Sequence, residues 1–95
     1  MKELGIKFTN YEEKEYPENI GKRTKFGGTP EWIQNKEDIQ CKSCKSEMSF
    51  VSQVDSFDFT GEINENKEFM FGDCGMIYIF FCFDCNITKS YFQEY

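Results

Sequence analysis

Two Cys-x-x-Cys pairs constrain this chain more than any other feature of its sequence. The pairs are Cys41 with Cys44 and Cys82 with Cys85, and the chain contains no histidine. A Cys-x-x-Cys turn directs two sulfurs at one point, so two such turns supply the four ligands of a tetrahedral zinc ion. The sequence therefore predicts one structural zinc site that joins two distant parts of the chain.

The length of the chain makes such a metal important for stability. The 95 residues are enough for one domain with a modest core, and we expect residues 1–20 to be a polar segment ahead of a core over residues 21–95. Structural zinc contributes on the order of 10 kcal/mol, comparable with the whole stability of a small domain. Eleven Phe and five Tyr predict an aromatic core or binding face.

The charge balance indicates which class of partner the chain can bind. The chain has 17 acidic and 11 basic residues and a formal net charge of −6. A nucleic-acid-binding surface needs a positive field, because phosphate contacts supply most of the non-specific affinity. We therefore expect a protein partner with a basic surface. The acidic stretches Glu12–Glu18 and Asp55–Glu68 are either solvated loops or elements that steer such a partner.

The sequence favours a cytoplasmic location. The first ten residues, MKELGIKFTN, contain no apolar run typical of a signal peptide. The longest apolar stretch, Met76–Phe83, has eight residues, whereas a membrane-spanning helix needs about 20. Thiols that remain free to bind a metal also suit a reducing compartment.

From Cys41 onward the sequence is typical of β-strands. Glu47–Asp55 alternates between apolar and polar residues, and Met76–Phe81 is apolar on both faces, which indicates a central strand buried on both sides. Thr88–Gln93 can return beside it as the second strand of a hairpin, and Glu68–Phe71 is a possible short strand. The predicted faces of the first strand are Met48, Phe50 and Val54 against Ser49, Val51 and Gln53.

These elements predict a mainly β fold class. Zinc would join the start of one strand, after Cys44, to the end of another, before Cys82. Although 37 residues separate the two pairs, doubling a loop costs only about 0.6 kcal/mol of closure entropy. We expect a single β-sheet domain, with a small α+β arrangement as the alternative, stapled by a zinc-ribbon-like four-cysteine site.

The order of several motifs resembles a known family. Lys25–Gln34 (KFGGTPEWIQ) precedes the first cysteine pair, Met48–Asp55 follows it, and Gly72–Cys85 (GDCGMIYIFFCFDC) contains the second pair. Over roughly residues 20 to 86 this order resembles the YwqG-like bacterial family of unknown function. It also looks like the related C-terminal domain of the programmed-cell-death-protein-2 proteins. The resemblance implies a β-rich fold and, from the eukaryotic relatives, an adaptor or chaperone role towards a basic ribosomal protein.

The cysteines allow chemistry other than structural zinc binding. A redox pair of the thioredoxin type should follow a strand and open a helix, but Cys41 follows a polar segment and Cys44 precedes a strand. A catalytic zinc would keep one coordination position open, and four cysteines leave none. Cys74 has no histidine to activate it as a nucleophile. We therefore expect no enzymatic activity.

Aromatic residues in loops are the candidate contacts with a partner. Trp32 follows the turn-forming Gly27-Gly28 and is either an exposed anchor or a plug over the core. Phe57 and Phe59 lie in the polar region after the first strand. We expect these three aromatics to supply affinity in a non-enzymatic protein-binding module that acts as an adaptor, chaperone or inhibitor.

Two other functions remain open from the sequence. A basic segment, Lys22–Lys25, with Lys42 and Lys45 near the first cysteine pair, could make the chain a zinc-ribbon nucleic-acid-binding protein. These lysines could equally neutralise the negative charge of a zinc–thiolate centre. The cysteines could also form a thiol redox switch that releases zinc on oxidation.

Overall fold

The computed structural model of the chain describes residues 1–8, 23–59 and 68–95. In these ranges four strands form one antiparallel sheet in the order β1-β2-β3-β4, which confirms the expected mainly β fold class. The elements are β1 (Lys25–Phe26), β2 (Ser49–Asp55), a 3-10 turn (Ser56–Asp58), β3 (Gly75–Cys82) and β4 (Ile87–Glu94). No helix in the described ranges has the length and apolar character needed to cross a membrane.

β3 is the central strand that the apolar run predicts. It pairs with β2 on one side and with β4 on the other. Met76, Tyr78 and Phe80 are fully buried on one face of the sheet, whereas Ile77 and Ile79 on the opposite face are only partly buried. The sheet therefore has one fully covered face and one partly open face, and the expectation that this strand is buried on both sides is wrong for the second face. The predicted returning strand over residues 88–93 lies within β4 and is confirmed.

β2 departs from its predicted faces at a β-bulge. The register shifts just after Phe50, which pairs with Phe80, and beyond the shift Gln53 pairs with Tyr78. Because a shift of one residue moves every following side chain to the opposite face, Gln53 joins the core face and Val54 leaves it. The predicted faces of Gln53 and Val54 are therefore wrong.

The core lies between the covered face and an irregular segment over residues 31–40. The ring centroid of Trp32 lies 4.5 Å from that of Tyr78 and 5.8 Å from that of Phe80. The Tyr78 hydroxyl donates to the Glu31 carbonyl at 2.9 Å and accepts from the Ile33 amide at 3.1 Å. This segment forms neither a helix nor a strand, so side-chain contacts with the sheet hold it in place.

Two buried glutamines provide further contacts between this segment and the sheet. The Gln53 amide oxygen accepts from the Glu31 backbone N–H at 2.9 Å. The Gln93 amide oxygen accepts from the Gln34 N–H at 3.0 Å, and its nitrogen donates to the Asn35 carbonyl at 2.7 Å. Since a buried amide without partners would be costly, these bonds hold the irregular backbone against the sheet.

The turn after β1 has the form that its glycines predict. Gly27 and Gly28 have φ values of 73° and 74°, a region that residues with a Cβ rarely adopt. The Gly27 amide donates to the Val51 carbonyl at 2.8 Å. The turn thus directs the chain from the edge of the sheet towards the segment that covers the core.

The predicted short strand over Glu68–Phe71 is wrong, because these residues form turns and bends ahead of β3. The Phe69 ring is buried and stacks on Phe59 at a centroid distance of 4.3 Å. The Phe71 amide donates to the Ser56 hydroxyl at 3.0 Å. The aromatic residues here anchor a loop individually and do not line the faces of a strand.

Candidate metal centre

The first cysteine pair lies in a tight turn just before β2. An isolated bridge between Gln40 and Glu47 closes the base of the turn. Inside it, the Lys45 amide donates to the Cys41 carbonyl at 2.9 Å, and Lys45 has a φ of 67°. This left-handed residue reverses the chain directly after Cys44, which brings both thiols to one side of the turn.

The second pair lies in the turn that joins β3 to β4 and repeats this geometry. Cys82 ends β3, and its carbonyl accepts from the Asn86 amide at 2.8 Å. Asn86 follows Cys85 as Lys45 follows Cys44, and it also has a positive φ of 55°. Two matching turns from distant parts of the sequence therefore face one another at one end of the sheet.

The four sulfurs form a compact cluster. Their Sγ atoms all lie within 4.8 Å of one another, and those of Cys44 and Cys82 are 3.6 Å apart. Tetrahedral coordination at the usual Zn–S distance places sulfurs about 3.8 Å apart. The separations therefore fit a metal ion after small adjustments, and the four thiols are compatible with one.

Burial of the cluster is uneven. Cys41 and Cys82, the first cysteines of the two pairs, are 1% and 3% exposed. Cys85 is half-buried and Cys44 is exposed. The cluster is thus anchored in the core through two cysteines, while solvent reaches it at Cys44.

Backbone donors make the first pair more acidic than ordinary thiols. The N–H groups of Cys44 and Ser43 lower the pKa of Cys41. The Ser46 N–H, followed by the Ser46 hydroxyl, lowers the pKa of Cys44 to about 6. Because the thiolate is the form that binds a metal, this turn presents Cys44 as a thiolate at neutral pH and makes the Cys41 thiol easier to deprotonate.

The thiols of the second pair are less acidic than ordinary thiols. The Cys85 N–H lowers the pKa of Cys82, but burial and hydrogen bonds with the Cys44 and Cys41 sulfurs outweigh it, so the pKa is raised. The pKa of Cys85 is raised to about 12, first by its hydrogen bond with Cys44 and then by burial. Four thiolates this close repel one another, and a divalent cation is the natural compensation for that repulsion.

Lys89 is a basic residue near the cluster that the sequence analysis did not identify. Its ammonium donates to the Asp38 carbonyl at 2.9 Å and lies 5.3 Å from the Tyr91 ring centroid. Its pKa is raised, first by a hydrogen bond with Tyr91 and to a smaller extent by the negative charges of Asp38 and Cys41. The hairpin register brings Lys89 opposite Phe80, so only the fold could reveal this proximity.

The fifth cysteine lies outside the cluster. Cys74 is half-buried in the bend before β3, and its carbonyl accepts from the Tyr95 amide at 3.1 Å. Since β3 runs from this bend to Cys82, about 25 Å of strand separates Cys74 from the four-sulfur cluster.

The three aromatic candidates for partner contact lie in different environments. Trp32 is half-buried against the core, and Phe59 is half-buried against Phe69. Phe57 is 55% exposed and lies 4.8 Å, centroid to centroid, from the ring of Tyr95. Phe57 is therefore the most accessible of the three.

Only a few residues of the acidic stretches are described, and one of them is buried. Residues 12–18, 62 and 65 lie outside the described residues. Asp55 is fully buried, accepts from the Tyr95 hydroxyl at 2.5 Å and lies 3.6 Å from Arg23. The expectation that Asp55 lies in a solvated or steering loop is therefore wrong, because the bulge in β2 turns it to the core face.

Comparisons with known proteins identify a family. A stretch of 71 residues is 31% identical to the "Uncharacterized protein YpfL" of Salmonella typhimurium (strain LT2) and covers 75% of this chain but 15% of that protein. The chain thus matches a small part of a much longer relative. No solved structure matches. The family model described as "Domain of unknown function (DUF1963)" matches residues 2–94, and the chain therefore belongs to the DUF1963 family.

Proposed function

We propose that Cys41, Cys44, Cys82 and Cys85 hold one zinc ion with a structural role. The four-sulfur cluster supports this proposal, because an all-thiolate set suits zinc and leaves no position for a substrate or an activated water. When bound, zinc would supply charge compensation and a cross-link, with no chemical step of its own. The core positions of Cys41 and Cys82 favour a role in holding the sheet together.

We further propose that the module is non-enzymatic, acts in the cytoplasm and binds a protein partner. The observation that supports a contact site best is the exposed aromatic pair at the end of the sheet away from the cysteines. Phe57 is 55% and Tyr95 is 46% exposed, with ring centroids 4.8 Å apart. Aromatic residues of this kind supply much of the affinity in protein interfaces, and a net charge of −6 favours a basic partner.

The family resemblance indicates which kind of protein-binding role to expect. The motifs similar to YwqG-like and programmed-cell-death-protein-2 proteins favour an adaptor or chaperone that covers a basic, newly made protein. An inhibitor or immunity role would use the same surface in the same way. Phe57 is the strongest contact candidate, whereas Trp32 and Phe59 would contribute only their accessible edges.

Nucleic-acid binding through the basic segment receives less support. Arg23 lies 3.6 Å from the Asp55 carboxylate and 3.9 Å from that of Glu31. An arginine between two carboxylates adds little positive potential for a phosphate backbone. Lys22 lies outside the described residues. We therefore retain nucleic-acid binding as an outcome that the experiment must distinguish.

A second candidate function is a thiol redox switch. Cys44 is exposed, and its sulfur lies 3.6 Å from that of Cys82 in the other turn. Hydrogen peroxide could oxidise the two thiolates to a disulfide and be reduced to two molecules of water, taking up two protons and the two electrons. Zinc would then leave, because two of its ligands are lost. Peroxide that releases no zinc from the loaded protein would exclude this function.

The test of partner binding is capture from host lysate with tagged, zinc-loaded protein, with and without nuclease. We expect Phe57→Ser to weaken capture of a discrete basic protein at least about tenfold, which corresponds to 1.4 kcal/mol. Phe83 is a still more exposed phenylalanine, 74% against 55%, at the cysteine end, so Phe83→Ser is the matched control and should capture normally. Capture that disappears with nuclease would instead assign nucleic-acid binding.

A further inference from the structure

The sheet has a second face that the core does not use. Cross-strand partners in an antiparallel sheet project to the same side, so the register defines this face row by row. Ile77 pairs with Val54 and Phe92, and Phe81 pairs with Ser49 and Thr88. We call this surface the outer face and define it by its apolar members. They are Phe26, Val54, Ile77, Ile79, Phe81 and Phe92.

The outer face exposes a large aromatic area. Phe26 is 59% and Phe92 is 46% exposed. At the borders, Phe8 contacts Phe26 and Phe83 contacts Phe81, and these two border rings are 73% and 74% exposed. At about 200 Å² for each ring, the four exposed rings present about 500 Å².

That area is comparable with the largest apolar patches of ordinary monomers, which are often functional. The largest apolar patch on an ordinary monomer covers about 300–600 Å² in total. Here the aromatic rings alone reach that range, and the partly buried Ile77 and Ile79 add to it. A standard interface buries about 800 Å² on each partner. The four rings alone supply about 500 Å² of that area, and the partly buried Ile77 and Ile79 and the exposed Ser49, Thr88 and Ser90 add to it.

The distribution of charge indicates what can cover this face. Two copies of a chain with a net charge of −6 should repel one another. However, apart from Glu94, the polar members of the outer face are small and neutral, and Ser49, Thr88 and Ser90 are exposed. The acidic Glu94 lies only at its end, opposite Gly75. Two outer faces can therefore meet without placing like charges opposite one another over most of the contact.

We propose that the outer face is a homodimer interface, in which a second copy covers it with its own outer face. A two-fold axis makes one apolar surface serve both partners, and two sheets packed face to face lie about 10 Å apart. Such a dimer buries β3 on both sides, as its continuous apolar sequence demands. The inference does not depend on the partner that the proposed function requires.

The test is the solution mass of the full, zinc-loaded chain over a concentration series, measured by sedimentation velocity. We expect the wild type to change from the 11.3 kDa monomer to a dimer as its concentration rises. Ser90→Glu places a charge on an exposed hydroxyl position of the outer face without removing a core contact. Because it places like charges in the apolar contact, we expect the dimer Kd to rise at least about tenfold.

The matched control is Thr29→Glu, which adds the same charge at an exposed loop position after β1. It should dimerise like the wild type. Zinc content and Trp32 fluorescence should be unchanged in both variants, so a loss of dimer cannot be confused with a loss of fold. A wild type that remains monomeric throughout, or equal dimerisation of the two variants, would overturn the proposal. Partner capture, which tests the proposed function, is measured separately, and its outcome does not depend on whether the chain dimerises.

Discussion

At the scale of single residues, the core of the sheet contains buried polar side chains beside its aromatic ones. Gln53 and Asp55 are fully buried in a strand whose sequence places them among solvated positions. Asp55 remains buried because Arg23 lies close by and the Tyr95 hydroxyl donates to it. Buried charge of this kind is tolerated only where partners compensate for it.

The stability of the fold depends on pH through Tyr95. Burial, followed by the hydrogen bond to Asp55 and the charge of Asp55, raises the pKa of Tyr95. The contribution of Tyr95 to stability is therefore fully present below its unfolded-state pKa of about 10. It is lost as the pH rises towards the pKa of Tyr95 in the folded state. Urea unfolding between neutral and strongly alkaline pH should therefore show stability falling above about pH 10.

Tyr95→Phe removes this ionisation and one hydrogen bond. We expect it to cost about 1 kcal/mol near neutral pH, because Asp55 loses a donor, and to make the alkaline decline shallower. Part of the decline should remain, since burial also raises the pKa of Tyr78. An alkaline decline as steep as that of the wild type would contradict the role given to Tyr95.

At the scale of the elements, local sequence was sufficient for the strands that the core covers directly. The apolar run of β3 and the alternation in β2 predicted their positions, and the returning strand lies within β4. The bulge after Phe50 was not predictable, because an extra residue in one strand follows from pairing with β3. The two-residue β1 and the irregular segment over residues 31–40 were also missed, since neither has a periodic pattern.

Gly75 tests the packing of the β3–β4 hairpin. A Cβ at this position would lie 2.5 Å from Cε1 of Phe92 and 2.7 Å from the Gln93 carbonyl oxygen. The backbone oxygen cannot move without disturbing the pairing, so we expect Gly75→Ala to destabilise the protein by about 2 kcal/mol. Gly5→Ala, where nothing lies within 4 Å, is the control and should leave the urea midpoint unchanged. Equal midpoints for both variants would refute the tight hairpin packing.

At the scale of the whole molecule, the cysteine cluster and the exposed aromatic pair lie at opposite ends of the sheet. Strands of eight residues separate them by about 25 Å. The four-sulfur cluster could be anticipated because Cys-x-x-Cys spacing encodes its geometry locally. The exposure of Phe57 and the apolar outer face could not, since both depend on what the rest of the chain covers.

This arrangement predicts distinct results for two cysteine variants. Cys82→Ser removes a core ligand, so we expect loss of bound zinc and unfolding of most of the sheet, since zinc contributes on the order of 10 kcal/mol. Cys74→Ser lies outside the cluster and should retain both the metal and the fold. Metal content and near-ultraviolet circular dichroism measure these outcomes. Loss of metal only in the Cys74 variant would contradict the ligand assignment.

The proposed zinc site is tested most directly at the metal itself. X-ray absorption at the zinc edge, combined with metal quantification of freshly purified protein, gives the ligand type, distance and stoichiometry together. We expect one zinc per chain with four sulfur neighbours at about 2.3 Å. A different metal, a stoichiometry far below one, or oxygen or nitrogen in the first coordination shell would contradict this expectation.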